Sequence, residues 1–177
     1  ILQKQQIRLS LDTPNTLLQA NPEQIDILLR NLLDNAIRYS GDGKNIWISC
    51  GHNSKHQAYL TVEDQGVGIP SVQHDKIFDR FYRLVDAPST GSGLGLSIVQ
   101  QIIEQHQASI QIEPGRNAQG TKVSISRVTS QPWRRLRPAG RDRVQKGGAQ
   151  VGSVDVSHAS RVARQNAVRL GGTCSKW

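Results

Sequence analysis

Between Asn21 and Ser40 the apolar residues fall at Ile25, Leu28, Leu29, Leu32, Leu33, Ala36 and Ile37, the spacing of one face of an α-helix. The ends of this helix are also written in the chain. Asn21 is a good N-cap, Pro22 suits the first helical position, and Glu23 and Asp26 put acid in or near the first turn. Ser40-Gly41-Asp42-Gly43 stops it. So broad an apolar stripe has to be covered, so the helix must lie on a sheet or on other helices. Its other side is polar in a particular way: Asn31, Asn35 and Arg38 stand at i, i+4 and i+7 and share one face. Amide oxygens suit Mg²⁺, which keeps several waters and is bound together with substrate phosphates. A guanidinium beside them suits a phosphate. Taken alone, such a face is more often merely solvated.

Strand patterns surround the helix. Ile7 to Leu11 alternates apolar and polar, and Thr16 to Ala20 reads as a second short strand. Asn45 to Cys50 and Gln57 to Glu63 read as a hairpin joined by polar Gly51 to His56. Ser71 to Arg83 is expected to form a short helix and Gly93 to His106 a longer one; Ser109 to Glu113 and Thr121 to Ser126 are expected to pair around Pro114-Gly115. Strands, hairpins and helices mixed in this order predict an α+β fold rather than a doubly wound parallel sheet.

Two glycine-rich loops complete the pattern. In Asp64-Gln65-Gly66-Val67-Gly68 the two Gly permit close backbone approach to a ligand, and the Asp sits where a strand ends. A carboxylate there accepts a hydrogen bond from the exocyclic amine of adenine, whereas guanine would oppose it with a carbonyl oxygen. In Gly91-Ser92-Gly93-Leu94-Gly95-Leu96-Ser97 glycines open a helix, whose N-terminal amides and dipole suit phosphate oxygens. Neither loop is specific by itself. The second follows a loop, not a strand, and lacks Gly-Lys-Ser/Thr, so it is neither a Rossmann fingerprint nor a Walker A loop.

The chain's formal charge of +8 lies entirely in its last part. Residues 1–127 hold 12 Lys/Arg and 12 Asp/Glu, while residues 128–177 hold 10 Lys/Arg against only Asp142 and Asp155. A nucleic-acid role for residues 1–127 is therefore not expected. After Arg127 the periodicity fails, apart from weak alternation in Val151 to Val156 and a marginal helical pattern from Ser160 to Leu170. Residues 128–177 read as a basic extension, expected to be disordered or run-on sequence. The other reading is a basic arm for nucleic acid or an anionic membrane surface. No apolar run approaches the ~18–20 residues of a membrane span. Cys50 and Cys174 have no metal-ligand or disulfide spacing, which suits a reducing compartment.

In combination these segments resemble the catalytic ATP-binding domain of sensor histidine kinases of two-component systems, within the GHKL ATPase superfamily. The N box matches Arg30 to Ser40, the G1 box Asp64 to Pro70, the F box Ile77 to Arg83 and the G2 box Gly91 to Val99, and Gly120-Thr121 precedes the last strand. The resemblance covers about residues 5–127. It implies a two-layer α/β sandwich of the Bergerat type, with a mixed, mostly antiparallel sheet covered on one face by about three helices. It implies Asn35 as the Mg²⁺ ligand and Asn31 in support of metal or phosphates. Arg38 and Tyr39 would reach the phosphate chain, and Asp64 would hold the adenine amine with Thr121 near the base. Gly66, Gly68 and Ile69 would shape that wall, and Gly91, Ser92, Gly93, Leu94, Gly95 and Leu96 would serve the phosphates. Arg83, with Arg80 or Lys76, would approach the γ-phosphate, and Leu84 to Ser92 would be a short lid.

The resemblance also implies a reaction: transfer of the γ-phosphoryl of ATP, with Mg²⁺, to a His on a dimerisation domain, and onward to a response regulator. Gyrase-like relatives carry a Glu four residues before the metal Asn to activate water; Asn31 stands there in this chain and is a poor base. The parent would be a bacterial homodimer in the inner membrane, with this domain on the cytoplasmic side. None of His52, His56, His74, His106 and His158 is followed by Glu, so all five read as surface or structural and the acceptor is expected elsewhere. His106, at a helix end, is expected as a cation on the dipole. The alternatives are a protein-serine kinase of the anti-sigma type and a nucleotide-sensing module without transfer.

Overall fold

The strand and helix patterns come together as one main sheet with helices over it. The structure, a computed structural model, describes residues 8–12, 17–41, 43–55, 57–84, 91–127, 152–155, 165 and 173–176. The strands are β1 (Arg8–Asp12), β2 (Leu17–Ala20), β3 (Asn45–His52), β4 (Ala58–Asp64), β5 (Ala108–Pro114), β6 (Thr121–Arg127), β7 (Gly152–Asp155) and β8 (Thr173–Lys176). Two α-helices, α1 (Pro22–Ser40) and α2 (Gly95–Gln105), join them. The main sheet runs β5-β6-β4-β3-β1-β8. The β3–β4, β4–β6 and β5–β6 pairs are antiparallel, and β1 lies parallel to both β3 and β8. A separate antiparallel pair joins β2 to β7. The fold is the expected α+β sandwich with a mixed sheet.

One side of the sheet carries the core. Leu28, Leu29, Leu32, Leu33 and Ala36 of α1 and Val99, Ile102 and Ile103 of α2 close over Ile46, Ile48, Leu60, Val62, Val123 and Ile125 of the strands. Cys50 lies in the same layer, and burial pushes its thiol up to about 12, so it is an inert packing residue. The start of α1 is as the sequence reads: the Asn21 side chain accepts from the Glu23 and Gln24 amides at 3.0 and 3.3 Å.

Several expectations are revised. Ser71 to Arg83 is not one helix but two single 3₁₀ turns, Ser71–Gln73 and Lys76–Phe78. The segment has no apolar stripe to bury: only Ile77 is buried, and Val72 and Phe81 are 83% and 70% exposed. Phe81 takes a left-handed φ of 66°, which no helix continues. Of three helices expected over the sheet, two are therefore α-helices among the described residues. The second begins at Gly95 rather than Gly93, because Gly93 has φ of 70°. β3 extends two residues beyond Cys50, into the stretch expected as a connection.

His106 is not a cation on the helix dipole. Its Nε2 accepts the Asn21 N–H at 3.2 Å while Nδ1 lies 2.8 Å from the Ile102 carbonyl, an arrangement that requires the neutral ring with its proton on Nδ1. It ties the end of α2 to the start of α1. His74 Nε2 lies 3.0 Å from the Ile69 carbonyl, and His52 is at the exposed end of β3. His56 and His158 lie outside the described residues. Within 128–177, read from sequence as unstructured, β7 and β8 are ordered as strands by main-chain pairing to β2 and β1, a contact that local periodicity does not encode. The rest of that segment, including most of 160–170, lies outside the described residues.

Candidate functional site

The outward face of α1 supplies one wall of a cleft. Asn31, Asp34, Asn35 and Arg38 all line it. Asn31 is oriented by its own helix: Nδ2 donates to the Ile27 carbonyl at 2.8 Å, which turns Oδ1 away from the backbone. The first residue of α2 comes against these amides. A Cβ on Gly95 would sit 3.1 Å from Asn31 Oδ1 and 3.7 Å from Asn35 Nδ2, so a side chain there would fill the space the two amides face. The amide-rich side of α1 thus meets the N-terminal end of an 11-residue helix. An anion on the amides opening α2 would lie beside Asn31 Oδ1 and the Asn35 amide, whose oxygen a turn of the amide group would bring to a divalent cation. Among the described residues no three His, Cys, Asp or Glu gather to hold a metal by themselves. The donor set fits Mg²⁺ shared with phosphates, not a cage made by protein alone.

The opposite end of the cleft is built on Asp64. It closes β4 and is buried, and its Oδ1 accepts from the Gly66 N–H at 2.7 Å and the Thr121 N–H at 3.2 Å. Oδ2 takes part in neither bond. Burial raises its proton affinity, the two amide bonds oppose that, and the neighbouring Glu63 charge adds to it. A buried carboxylate that lines a cleft and has one oxygen held by two backbone amides is suited to an amine hydrogen-bonded in a fixed direction.

Most residues singled out from sequence meet here. Asn31, Asn35, Arg38 and Tyr39 come from α1; Asp64, Gly68, Ile69 and Thr121 from the end of β4, the loop after it and the start of β6; Arg83, Gly91, Ser92, Gly93, Gly95 and Leu96 from the F-box and G2 segments. Gly66 and Leu94 do not line the cleft. Gly66 is small for another reason: a Cβ there would overlap the Tyr39 carbonyl, so the glycine lets the loop pack on the end of α1. Arg38 lies against Gly91, spanning from α1 to the G2 segment. Gly93 has no room for a Cβ because the Phe81 backbone is 2.8 Å away, and Phe81 N–H donates to Gly93 O at 2.9 Å, so the F-box and G2 segments are locked together. Arg80 and Lys76 are not in the lining, and residues 85–90 of the expected lid lie outside the described residues.

The sequence does not single out the apolar wall of Leu32, Ala36, Val62, Ile77 and Val123, together with Tyr82 and Asp34; Leu84, expected as the start of the lid, belongs to the same wall. By periodicity Leu32 and Ala36 belong wholly to the core stripe. Asp34 had a signal, since it lies three residues from Asn31 and four from Arg38 on the same face.

Gly120 shows how tightly the Asp64 end is made. It has φ of 76°, and a Cβ would overlap the Asp64 carbonyl oxygen. Gly120→Ala is expected to destabilise the fold by roughly 2–4 kcal/mol, from left-handed strain plus overpacking. Urea unfolding measures this, and a loss below about 1 kcal/mol would show that the turn relaxes instead.

Comparison with known proteins gives a consistent result. A family model described as histidine kinase-, DNA gyrase B-, and HSP90-like ATPase matches residues 20–131. The sensor histidine kinase YkoH of Bacillus subtilis (strain 168) is 41% identical over 124 residues, which are 67% of this chain and 26% of that protein. The signal transduction histidine-protein kinase/phosphatase MprB of Mycobacterium sp. (strain KMS) is 36% identical over 139 residues, 76% of this chain and 26% of that protein. Among solved structures, a mycobacterial sensor histidine kinase MprB superposes with a TM-score of 0.62 at 29% identity, covering 68% of this chain and 82% of that one. The catalytic domain of histidine kinase ThkA superposes with a TM-score of 0.58 at 28% identity, covering 70% and 78%. The chain spans about a quarter of the length of the curated relatives it matches.

Proposed function

Because this chain belongs to the histidine kinase-, DNA gyrase B- and HSP90-like ATPase family, we propose that its cleft binds Mg-ATP and that the γ-phosphoryl is passed to a His of a dimerisation domain supplied from outside these residues. The observation that carries the reading is the meeting of Asn31 and Asn35 with the N-terminal end of α2 over Gly95. Phosphoryl transfer needs little covalent chemistry from the protein, so catalysis is mostly positioning and charge. Asp64 and Thr121 orient the base, Gly68 and Ile69 wall it, and Arg38 and Tyr39 follow the phosphate chain. The amides opening α2 hold phosphate oxygens, with Gly91, Ser92, Gly93 and Leu96 shaping the space around them; Leu94 and Gly66 act by loop geometry. Asn35, through its amide oxygen, would be the ligand for Mg²⁺, with Asn31 beside it. Bound there, Mg²⁺ would neutralise phosphate charge. Arg83 sets its positive charge beside the γ-phosphoryl as its bond to the β-oxygen breaks and a bond to the acceptor His nitrogen forms.

Asn31 also separates transfer from hydrolysis. Its amide is engaged with the Ile27 carbonyl and has no basic atom, so it does not activate water. Asp34 is the carboxylate on that wall that would serve if hydrolysis were the reaction.

In the parent protein we infer a homodimeric sensor at the bacterial inner membrane, with this domain on the cytoplasmic side and a response regulator downstream. The relatives named as sensor kinases support that setting. Among the described residues, no helix is long and apolar enough to cross a membrane. Residues 1–127 would be the catalytic unit and 128–177 an extension with no part in the cleft.

The test is radiolabel transfer. The chain, and a version cut after Arg127, are incubated with γ-labelled ATP, Mg²⁺ and a separately produced dimerisation domain of the parent. Label on the acceptor that is lost in acid and kept in base is expected, equal for both versions. Acid-stable label would indicate a serine kinase. Binding without transfer would indicate a sensing module, and fast phosphate release without acceptor a hydrolase. Loss of binding in the cut version would show that the pairing of β8 with β1 and of β7 with β2 is needed to hold the cleft together.

A further inference from the structure

Asp64 and Glu63 are consecutive residues of β4 and therefore point to opposite faces of the sheet. Asp64 faces the cleft. Glu63 faces the side away from α1 and α2, yet it is only 5% exposed. Its cover is the turn that joins β5 to β6. Arg116, the first residue of that turn's 3₁₀ segment, donates its backbone N–H to Glu63 Oε1 at 2.7 Å and its Nε to Glu63 Oε2 at 3.1 Å. The guanidinium then lies over the indole of Trp47, 4.5 Å from the ring centroid. Trp47 is directly opposite Glu63 in the β3–β4 register. One carboxylate, one guanidinium and one indole thus fasten the start of the turn to the far face of the sheet.

The end of the same turn is fastened to the cleft face. Thr121 N–H reaches Asp64 Oδ1, and Gly120 packs on the Asp64 carbonyl so closely that it has no room for a Cβ. Between these points Asn117 and Ala118 both have left-handed φ, 57° and 56°. L-residues rarely adopt that conformation, and two in succession persist only where the surroundings impose it. Gly115 N–H donates to Gly120 O at 3.1 Å and closes the turn.

We propose that Glu63, Arg116 and Trp47 form a positioning clamp on the far face of the sheet that holds this turn so that Thr121 presents its N–H to Asp64, and that the clamp thereby sets how well the cleft distinguishes adenine from guanine. None of the three lines the cleft, so they are positioning residues and not catalytic ones. The inference rests on the assignment of Asp64 to the adenine amine. Removing Arg116 frees the turn to relax its left-handed residues and leaves the Glu63 charge buried without its cation, one residue from Asp64.

The experiment is calorimetric titration of the full chain with non-hydrolysable ATP and GTP analogues, for the unaltered protein, Asp64→Asn, Arg116→Ala, Arg116→Lys and Glu63→Gln. Arg116→Ala is expected to weaken the ATP analogue roughly three- to tenfold, the scale of one loosened hydrogen bond to a charged acceptor. The GTP analogue should change by less than about twofold. Arg116→Lys keeps a cation and the backbone bond, and should recover part of the preference. Glu63→Gln, which keeps an acceptor for the Arg116 N–H, carries the test if Arg116→Ala does not fold. Equal weakening of both analogues, or an unchanged ratio where Asp64→Asn collapses it, would overturn the clamp and leave the nucleotide reading intact. If the unaltered chain has no adenine preference, or Asp64→Asn does not alter it, the nucleotide reading fails and the clamp with it.

Discussion

Asn35→Ala should reduce Mg²⁺-dependent phosphoryl transfer to background, a fall of roughly 10²–10³-fold or more, the scale for losing a preorganised electrostatic partner of the transition state. The substitution is otherwise mild. Asn35 lies on the outward side of α1, away from the stripe that packs on β3 and β4. Ala is the better helix former by about 0.5 kcal/mol, so thermal stability should hold or rise. The adenine end, about Asp64, is untouched, so nucleotide should still bind without metal while the gain in affinity on adding Mg²⁺ disappears. Initial rates across a Mg²⁺ titration, with nucleotide binding measured alongside, check this. Full activity at ordinary Mg²⁺ would remove Asn35 as the ligand and turn attention to Asn31 and Asp34, which share its wall.

Asp64→Asn should weaken ATP binding by roughly 1–3 kcal/mol, the penalty for mispairing a buried polar group. Asn keeps one carbonyl oxygen where Oδ1 accepts from Gly66 and Thr121, so the loop bonds survive. What changes is the second atom, an acceptor in the carboxylate and a donor in the amide, which then faces the adenine amine. Stability should move the other way. The carboxyl's pKa is raised in the fold chiefly by burial, so its stabilising effect is full below the ordinary carboxylate value and is lost as pH climbs through the raised one. At neutral pH the buried charge is a burden that Asn removes. The variant without nucleotide should therefore unfold at a higher temperature than the parent at pH 7, the difference fading in acid. Thermal unfolding at several pH values tests the sign. A difference that grew toward acid would contradict it, and unchanged ATP affinity would refute the adenine role.

These two residues were legible for different reasons. Asn35 could be placed because a helix has one period: once Ile25 to Ile37 define the packed side, Asn31, Asn35 and Arg38 must share the other. Asp34 falls on that side by the same period. Asp64 could be placed because it ends an apolar strand just before two glycines. The same logic failed for Ser71 to Arg83. It has no apolar stripe to bury, and its path is set by Phe81 bonding to Gly93 twelve residues on, a contact the segment does not announce. Gly66 and Gly120 read alike as loop glycines, yet one packs on Tyr39 and the other on Asp64.

The sequence by itself determined the two long helices, the strands from β1 to β6, the polar face of α1, the two loops and the family, because each follows from periodicity or from a short run of residues whose conformation is local. Only the tertiary structure decided that Gly95 is the point where α2 meets the amides of α1, that His106 is a neutral link to Asn21, and that Glu63 and Arg116, 53 residues apart, grip the turn behind Asp64. These are long-range contacts made when strands take their register. A residue carries no mark of the partner that register will bring to it, and the chemistry of the cleft depends on those partners as much as on the residues that face it.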